Sequence, residues 1–261
     1  MIEPNELAEI RSHLEREYAG VYGPAEIDFH LSAHVGDAFA GHACQVIAPG
    51  TRPGGRILDV GAGYGSFVIM ARARGFDAIG TEIAPFEIAC ARRRLARERP
   101  ADDPARTFLD RGIFNSALDD ERFDAITFWN VLEHIEDIDT VIRRAASLLV
   151  PGGAIYIICP SYKAWRNEAH YQIPWTPFLT RQDAIQRIRD HGKDPRFFET
   201  SVFMRTNWEV MSVLRKHGLR LFDRMNSAPM HLGRLLLEPG QFLDYFNPFR
   251  AAVELAARKP R

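Results

Sequence analysis

Apolar and polar positions alternate with a regular beat along the middle of the chain. Ile57-Leu58-Asp59-Val60 is a short apolar run of the kind that makes a buried parallel strand. Gly61, Gly63 and Gly65 follow at alternate positions, and the next residues, 66–74, carry a helical period that closes at Gly75. The beat then repeats. It predicts a strand at 77–82, a helix at 85–98 with Pro85 in its first turn, and a weak strand within 106–115. A polar turn at 116–122, a strand at 123–129, a helix at 137–149, a turn at Pro151-Gly152-Gly153 and a strand at 154–159 complete it. Such alternation predicts an α/β fold with a doubly wound, mostly parallel sheet, whose ligands bind at the carboxyl ends of the strands.

The pattern is less regular on either side. Residues 5–18 predict a helix with Asn5 as N-cap, and a second helix is predicted over 31–47 after the break at Gly20 to Pro24. These helices either cover the ligand edge as a lid or simply pack. Beyond Pro160, Tyr162, Trp165, Tyr171, Trp175 and Phe178 are interleaved with Lys163, Arg166 and His170. Helices are predicted near 181–191 and 207–217, with a loop holding Phe197-Phe198 between them, then a strand at 219–225 and a short C-terminal helix around 249–258. The organisation read from this is an N-terminal helical cap (1–50), a ligand-binding core (51–160), an aromatic-rich insert (161–206), and the end of the core sheet with a C-terminal helix (207–261).

Composition narrows the partners. A formal net charge of −1 gives no electrostatic case for nucleic acid or an anionic membrane. No apolar run approaches the ~20 residues of a membrane span. The acidic, amphipathic N-terminus is neither a secretory signal nor a transit peptide. The 3 cysteines, Cys44, Cys90 and Cys159, lie apart among apolar residues, so buried thiols and a cytoplasmic location are expected. The face Arg92-Arg93-Arg94 with Arg97 and Arg99 reads as a solvated helix face.

The glycine turn carries the candidate chemistry. Strand, glycine turn and helix let a backbone approach a cofactor closely, with free N–H groups at the helix start. Dinucleotide sites use G-x-G-x-x-G with an acidic residue ~20 positions on. Here the spacing is G-x-G-x-G, Asp59 lies inside the end of the strand, and Glu82 closes the second strand.

LDVGAGYG with Glu82, FDAITFWNVLEHI (Phe123 to Ile135) and LLVPGGAIYI (Leu148 to Ile157) together resemble the class I S-adenosylmethionine-dependent methyltransferase family. The resemblance implies its Rossmann-like fold and S-adenosyl-L-methionine (SAM) as cofactor. It implies that Gly61, Gly63 and Gly65 run under the cofactor, that Asp59 helps hold its amino group, and that Glu82 takes the ribose hydroxyls. The adenine contact falls to Asn115 or Ser116, with Asp110 as the competitor if the third strand is 106–109. Trp129 and Asn130 fall near the reactive sulfonium.

Methyl transfer from a sulfonium is an in-line displacement, so the protein mainly aligns the acceptor and excludes water. An acceptor hydroxyl also benefits from a base. His134, just past the fourth strand, is the first candidate, and it either acts as base or only caps its turn. His170 is the second. Quinone-ring O-methyltransferases carry Glu-x-x-Glu-His at this place and are proposed to bind a cation there. This chain has Asn130, Glu133 and His134; Asn in place of the first Glu removes a charge, and no metal is expected. Tyr162, Trp165, His170, Tyr171 and Trp175 either build a ring-lined acceptor pocket or pack the insert onto the sheet.

The expected activity is methyl transfer to a small-molecule acceptor, at a hydroxyl oxygen. N- or C-methyl transfer, a non-catalytic binding subunit of the same fold, and a dehydrogenase are the alternatives. The oligomeric state is not legible.

Overall fold

The computed structural model of the chain describes residues 2–222 and 250–261. A 7-stranded sheet organises it. Five parallel strands come from β1 (Arg56–Val60), β2 (Asp77–Thr81), β3 (Phe108–Leu109), β4 (Phe123–Trp129) and β5 (Leu149–Pro160). A two-residue ladder, β6 (Arg166–Asn167) with β7 (Pro174–Trp175), stands apart from it. The last strands, β8 (Arg220–Phe222) and β9 (Ala252–Arg258), complete the main sheet in the order β3-β2-β1-β4-β5-β9-β8, with β9 antiparallel to both neighbours. The strand order reverses beside β1, which opens a crevice at the carboxyl ends of β1 and β4.

Side-chain alternation along β1 divides the core. Ile57 faces α3 (Asp37–Ile47), α4 (Ser66–Ala73) and α5 (Pro85–Glu98), in one cluster with Ile47, Val68 and Leu95. Leu58 faces the other way, with Ile142 of α7 (Ile138–Leu148) and Leu214 of α10 (Asn207–Lys216). The remaining helices are α1 (Pro4–Glu17), α2 (Pro24–His30), α6 (Pro104–Thr107), α8 (Arg181–Asp190) and α9 (Arg196–Ser201).

The core strands and helices lie where the periodicity puts them, and Cys44, Cys90 and Cys159 are buried free thiols. Five expectations are corrected. The helix expected around 249–258 is the strand β9 over its described part, Ala252–Arg258. Its alanines favour helix in isolation, but the segment fills the slot between β5 and β8, where Val253, Leu255, Ala256 and Ala257 are fully buried. Tertiary packing outweighs propensity there. Residues 223–225 of the expected strand 219–225 lie outside the described residues. The single helix 31–47 is broken at Gly36, whose extended backbone separates a π turn, Leu31–Val35, from α3. The first helix is capped by Glu3 rather than Asn5. Phe197 and Phe198 lie on α9, not in a loop. The turn at Pro151-Gly152-Gly153 is absorbed into the start of β5, where the pairing with β4 shifts register.

The basic face of α5 is also not simply solvated. Arg94 is buried, with Nη1 donating to Tyr64 O and Ser66 Oγ, both at 2.9 Å. Arg93 pairs with Glu9 and Arg97 with Glu6, which fastens α1 to α5, while Arg92 donates to Phe108 O and Arg99 pairs with Asp102. No helix among the described residues is long and apolar enough to cross a membrane.

Candidate active site

At the carboxyl ends of β1 and β4 lies a cavity of about 1020 Å³. One end is built by the glycine turn. Gly61 N and Ala62 N both donate to Thr81 O, at 2.8 and 2.9 Å, which locks the turn onto β2. Gly61 has φ +75°, and a Cβ on it would come within 2.5 Å of Val131 Cγ2. Only glycine allows both the left-handed backbone and the close approach of the chain following β4. Gly65 is left-handed too and heads α4. Gly63 lines the cavity, and its N–H donates to Glu82 Oε2 at 2.9 Å.

Glu82 directly follows β2 in a rigid setting. Its Oε1 accepts from Ile83 N and Ala84 N at 2.7 and 2.9 Å. The carboxylate is therefore fixed by backbone donors on the turn and on the chain after β2. Asp59 is buried under the turn, with Oδ1 accepting from Thr127 Oγ1 at 2.7 Å. Burial, and then the charge of Glu82, pushes its carboxyl up to about 7. Trp129 at the end of β4 packs edge-on against Phe39 and Phe67, and its buried Nε1 has no partner among the described residues. Asn130 lines the same wall with φ +56°, a left-handed conformation that Asn tolerates better than most residues.

Asn115 does not reach this wall. Its Nδ2 donates to Asp110 O at 2.8 Å and its Oδ1 accepts from Ala117 N at 2.9 Å, so the side chain staples its own loop. The cavity is lined there by Arg111, Gly112, Ile113 and Phe114 instead.

The other end holds four histidines. His134 closes the short 3-10 turn after β4, and its Nδ1 lies 2.7 Å from Ser201 O. A carbonyl can only accept, so Nδ1 carries the proton and Nε2 the lone pair. The ring is accessible and lines the cavity. Burial, and then the charge of His170, pulls it down to about 4. His170 packs against it with ring centres 5.1 Å apart. Burial alone would lower His170, but the carboxylate of Glu168 raises it overall. Glu168 is fully buried and saturated: Oε1 accepts from Tyr162 OH at 2.6 Å and faces His170 Nδ1 at 3.0 Å, and Oε2 accepts from His170 N and Tyr171 N. Burial alone would raise this carboxyl; the charge of His170 lowers it overall. Beside them, Glu133 is buried, and burial pushes its carboxyl up to about 7. Glu133, His134 and His170 can each offer one ligand atom, all within 4.8 Å of one another.

The insert contributes fewer rings to the cavity than its composition suggests. Tyr162, Tyr171 and Trp175 form a separate buried cluster with Phe198, and Trp165 is exposed against Phe178. His170 alone of the five named aromatics lines the cavity. The rings come instead from the N-terminal region: Tyr18 stacks on Tyr22, His30 lies beside His34, and Phe39 follows. Burial pulls His30 and His34 down to about 3 and about 4. Ser66 Oγ bonds His34 O and Val35 O, both at 3.1 Å, and so ties this region to the start of α4. The recurrent spacing of four in Tyr18/Tyr22 and His30/His34 was the available sequence signal.

A glycine turn locked to β2, a fixed carboxylate at the β2 end, a buried aspartate beneath and an unpartnered indole N–H form a cradle that fits an adenosyl cofactor bearing a charged amino group. Residues 33–218 match the methyltransferase domain family, and the chain belongs to it.

Among its relatives, a Mycobacterium tuberculosis protein described as uncharacterised is 28% identical over 177 residues, 64% of this chain and 56% of that protein. The chain thus spans little more than half of that relative's length. A ubiquinone biosynthesis O-methyltransferase of Cereibacter sphaeroides is 26% identical over 178 residues, 62% of this chain and 69% of that one. Among solved structures, the magnesium protoporphyrin IX methyltransferase of Synechocystis with bound SAH superposes with a TM-score of 0.57 at 17% identity, covering 97% of this chain and 94% of that one. An S-adenosylmethionine-dependent methyltransferase of Mesorhizobium loti gives a TM-score of 0.54 at 19% identity, covering 85% and 99%. At such identities the structural likeness is one of fold.

Proposed function

We propose that the protein transfers a methyl group from SAM to a hydroxyl oxygen of a small, ring-containing acceptor. The observation that carries this reading is His134. Its Nδ1–H is tied to Ser201 O at 2.7 Å, which leaves Nε2 as the basic nitrogen of a residue that lines the cavity holding the cofactor cradle. The likeness to a ubiquinone biosynthesis O-methyltransferase supports the same atom as acceptor.

SAM supplies an activated methyl group when bound. Asp59 and Glu82 would hold it, together with the backbone of Gly61 to Gly65 and the wall of Ile113 and Phe114, all of which except Gly65 line the cavity. Asn115 serves the cofactor by fixing the loop that carries this wall. Trp129 and Asn130 border the side facing the acceptor. The N-terminal rings Tyr18, Tyr22 and Phe39 line the acceptor end and would exclude water from a bound acceptor. His134 Nε2 would take the proton of the acceptor O–H, readying the oxygen for the methyl group that bound SAM would supply. His170, held by Glu168, flanks the oxygen as its charge develops.

The test is release of S-adenosylhomocysteine with a panel of phenols, alcohols and amines. Hydroxyl acceptors are expected to turn over, and His134→Ala to reduce turnover by about 10²–10⁴-fold. Turnover of amines alone, or full turnover in His134→Ala, would overturn the reading.

A further inference from the structure

We propose that Glu133, His134 and His170 form a binding site for one divalent transition-metal ion at the acceptor end of the cavity. The sequence argued against a metal because Asn130 stands where a first carboxylate would be. The fold supplies a different third donor, His170, from the segment after β5, so that all three side chains present ligand atoms within 4.8 Å of one another.

The orientation of the rings is the first support. His134 Nδ1–H is bound by Ser201 O at 2.7 Å, and His170 Nδ1 by Glu168 Oε1 at 3.0 Å. Each imidazole is thereby fixed with Nε2 as its remaining donor atom. This is the outer-shell arrangement of metal-ligating histidines, which give their other N–H to a carbonyl or a carboxylate. Glu168 is itself fixed by Tyr162 OH at 2.6 Å and by two backbone N–H groups.

Glu133 is the second, independent support. It is 1% exposed, and its Oε2 has no partner among the described residues. A buried carboxylate oxygen without a partner costs free energy that a cation would offset. Its main chain is fixed, because Glu133 O accepts from Phe203 N at 2.7 Å. Two imidazoles and one carboxylate suit Zn²⁺, Mn²⁺ or Fe²⁺ rather than Mg²⁺ or Ca²⁺, which take oxygen ligands.

The site deepens the oxygen-transfer reading and rests on it for its purpose: with an ion bound, His134 Nε2 is a ligand in place of the base, and the cation would lower the pKa of the acceptor hydroxyl, whose proton then passes to solvent. Its existence is separable from that reading. The protein, stripped with EDTA, is titrated with Co²⁺ and followed by visible absorption, while its affinity for S-adenosylhomocysteine is measured in parallel. A ligand-field band saturating at about one ion per chain is expected. It should be lost in His170→Ala and His134→Ala, and Glu168→Gln should weaken Co²⁺ by about 10–100-fold. Retained S-adenosylhomocysteine affinity shows that a variant is folded. Should the alanine variants lose it, Glu168→Gln decides, and an unchanged Co²⁺ affinity there overturns the site. No band in the wild type, or the wild-type band in folded His170→Ala, also overturns it. Methyl transfer to hydroxyls by protein that binds no ion would overturn the site and leave the oxygen-transfer reading standing.

Discussion

Gly61 shows how much a single residue carries. Its φ of +75° and the 2.5 Å approach to Val131 Cγ2 both exclude a side chain. Gly61→Ala is predicted to lower stability by about 2 kcal/mol, from overpacking and left-handed strain together. Denaturant midpoints measure it, and an unchanged midpoint would mean that the turn relaxes freely. Asp59 gives a pH test. Its carboxyl is raised from 3.8 to about 7 by burial and then by Glu82, and Glu87 from 4.5 to about 8 by the same causes. A carboxyl raised on folding binds its proton more tightly in the folded state. Its contribution is full below the unfolded value and lost as pH rises through the folded one. The melting temperature of the cofactor-free protein should therefore fall between pH ~6.5 and ~8.5, and Asp59→Asn should flatten that fall. The lowered histidines His30, His34 and His134 act oppositely, and only below their ordinary value of 6.5. An equal fall in Asp59→Asn would refute the assignment.

At the scale of elements, the strands and helices of the core were legible because their periods are clean and their ends are marked. Gly61, Gly65 and Pro85 each do at an element end what the sequence suggests. The C-terminal strand was not legible. Ala252 to Arg258 offers alanines and weak alternation, and only the slot between β5 and β8 makes it a strand. Leu255→Ala is predicted to cost about 2–5 kcal/mol in urea unfolding, the range for a buried leucine in a packed core. A change within about 0.5 kcal/mol, as for a fraying surface helix, would contradict the sheet assignment. The segment after β5 misled in another way. Tyr162, Tyr171 and Trp175 are rings of a local core, and composition cannot tell such a core from a pocket wall. Tyr18, Tyr22, His30 and His34 reach the cavity through a turn and a π turn, which no hydrophobic period announces.

At the scale of the molecule, three regions that are distant in sequence meet around one cavity: the N-terminal rings, the carboxyl edge of the sheet, and the His134–His170 pair. The cofactor end follows from a local motif and was legible in the sequence. The acceptor end is assembled by tertiary contacts and was not. Everything proposed for the acceptor depends on a cofactor held between the glycine turn and Glu82. The most direct measurement is calorimetric titration of the protein with S-adenosylhomocysteine, beside Glu82→Ala. Saturable binding at about one molecule per chain is expected, and about 10–100-fold weaker binding in the variant, as for the loss of hydrogen bonds to a charged group. No binding to the wild type, or equal binding to both, would contradict a cofactor held there.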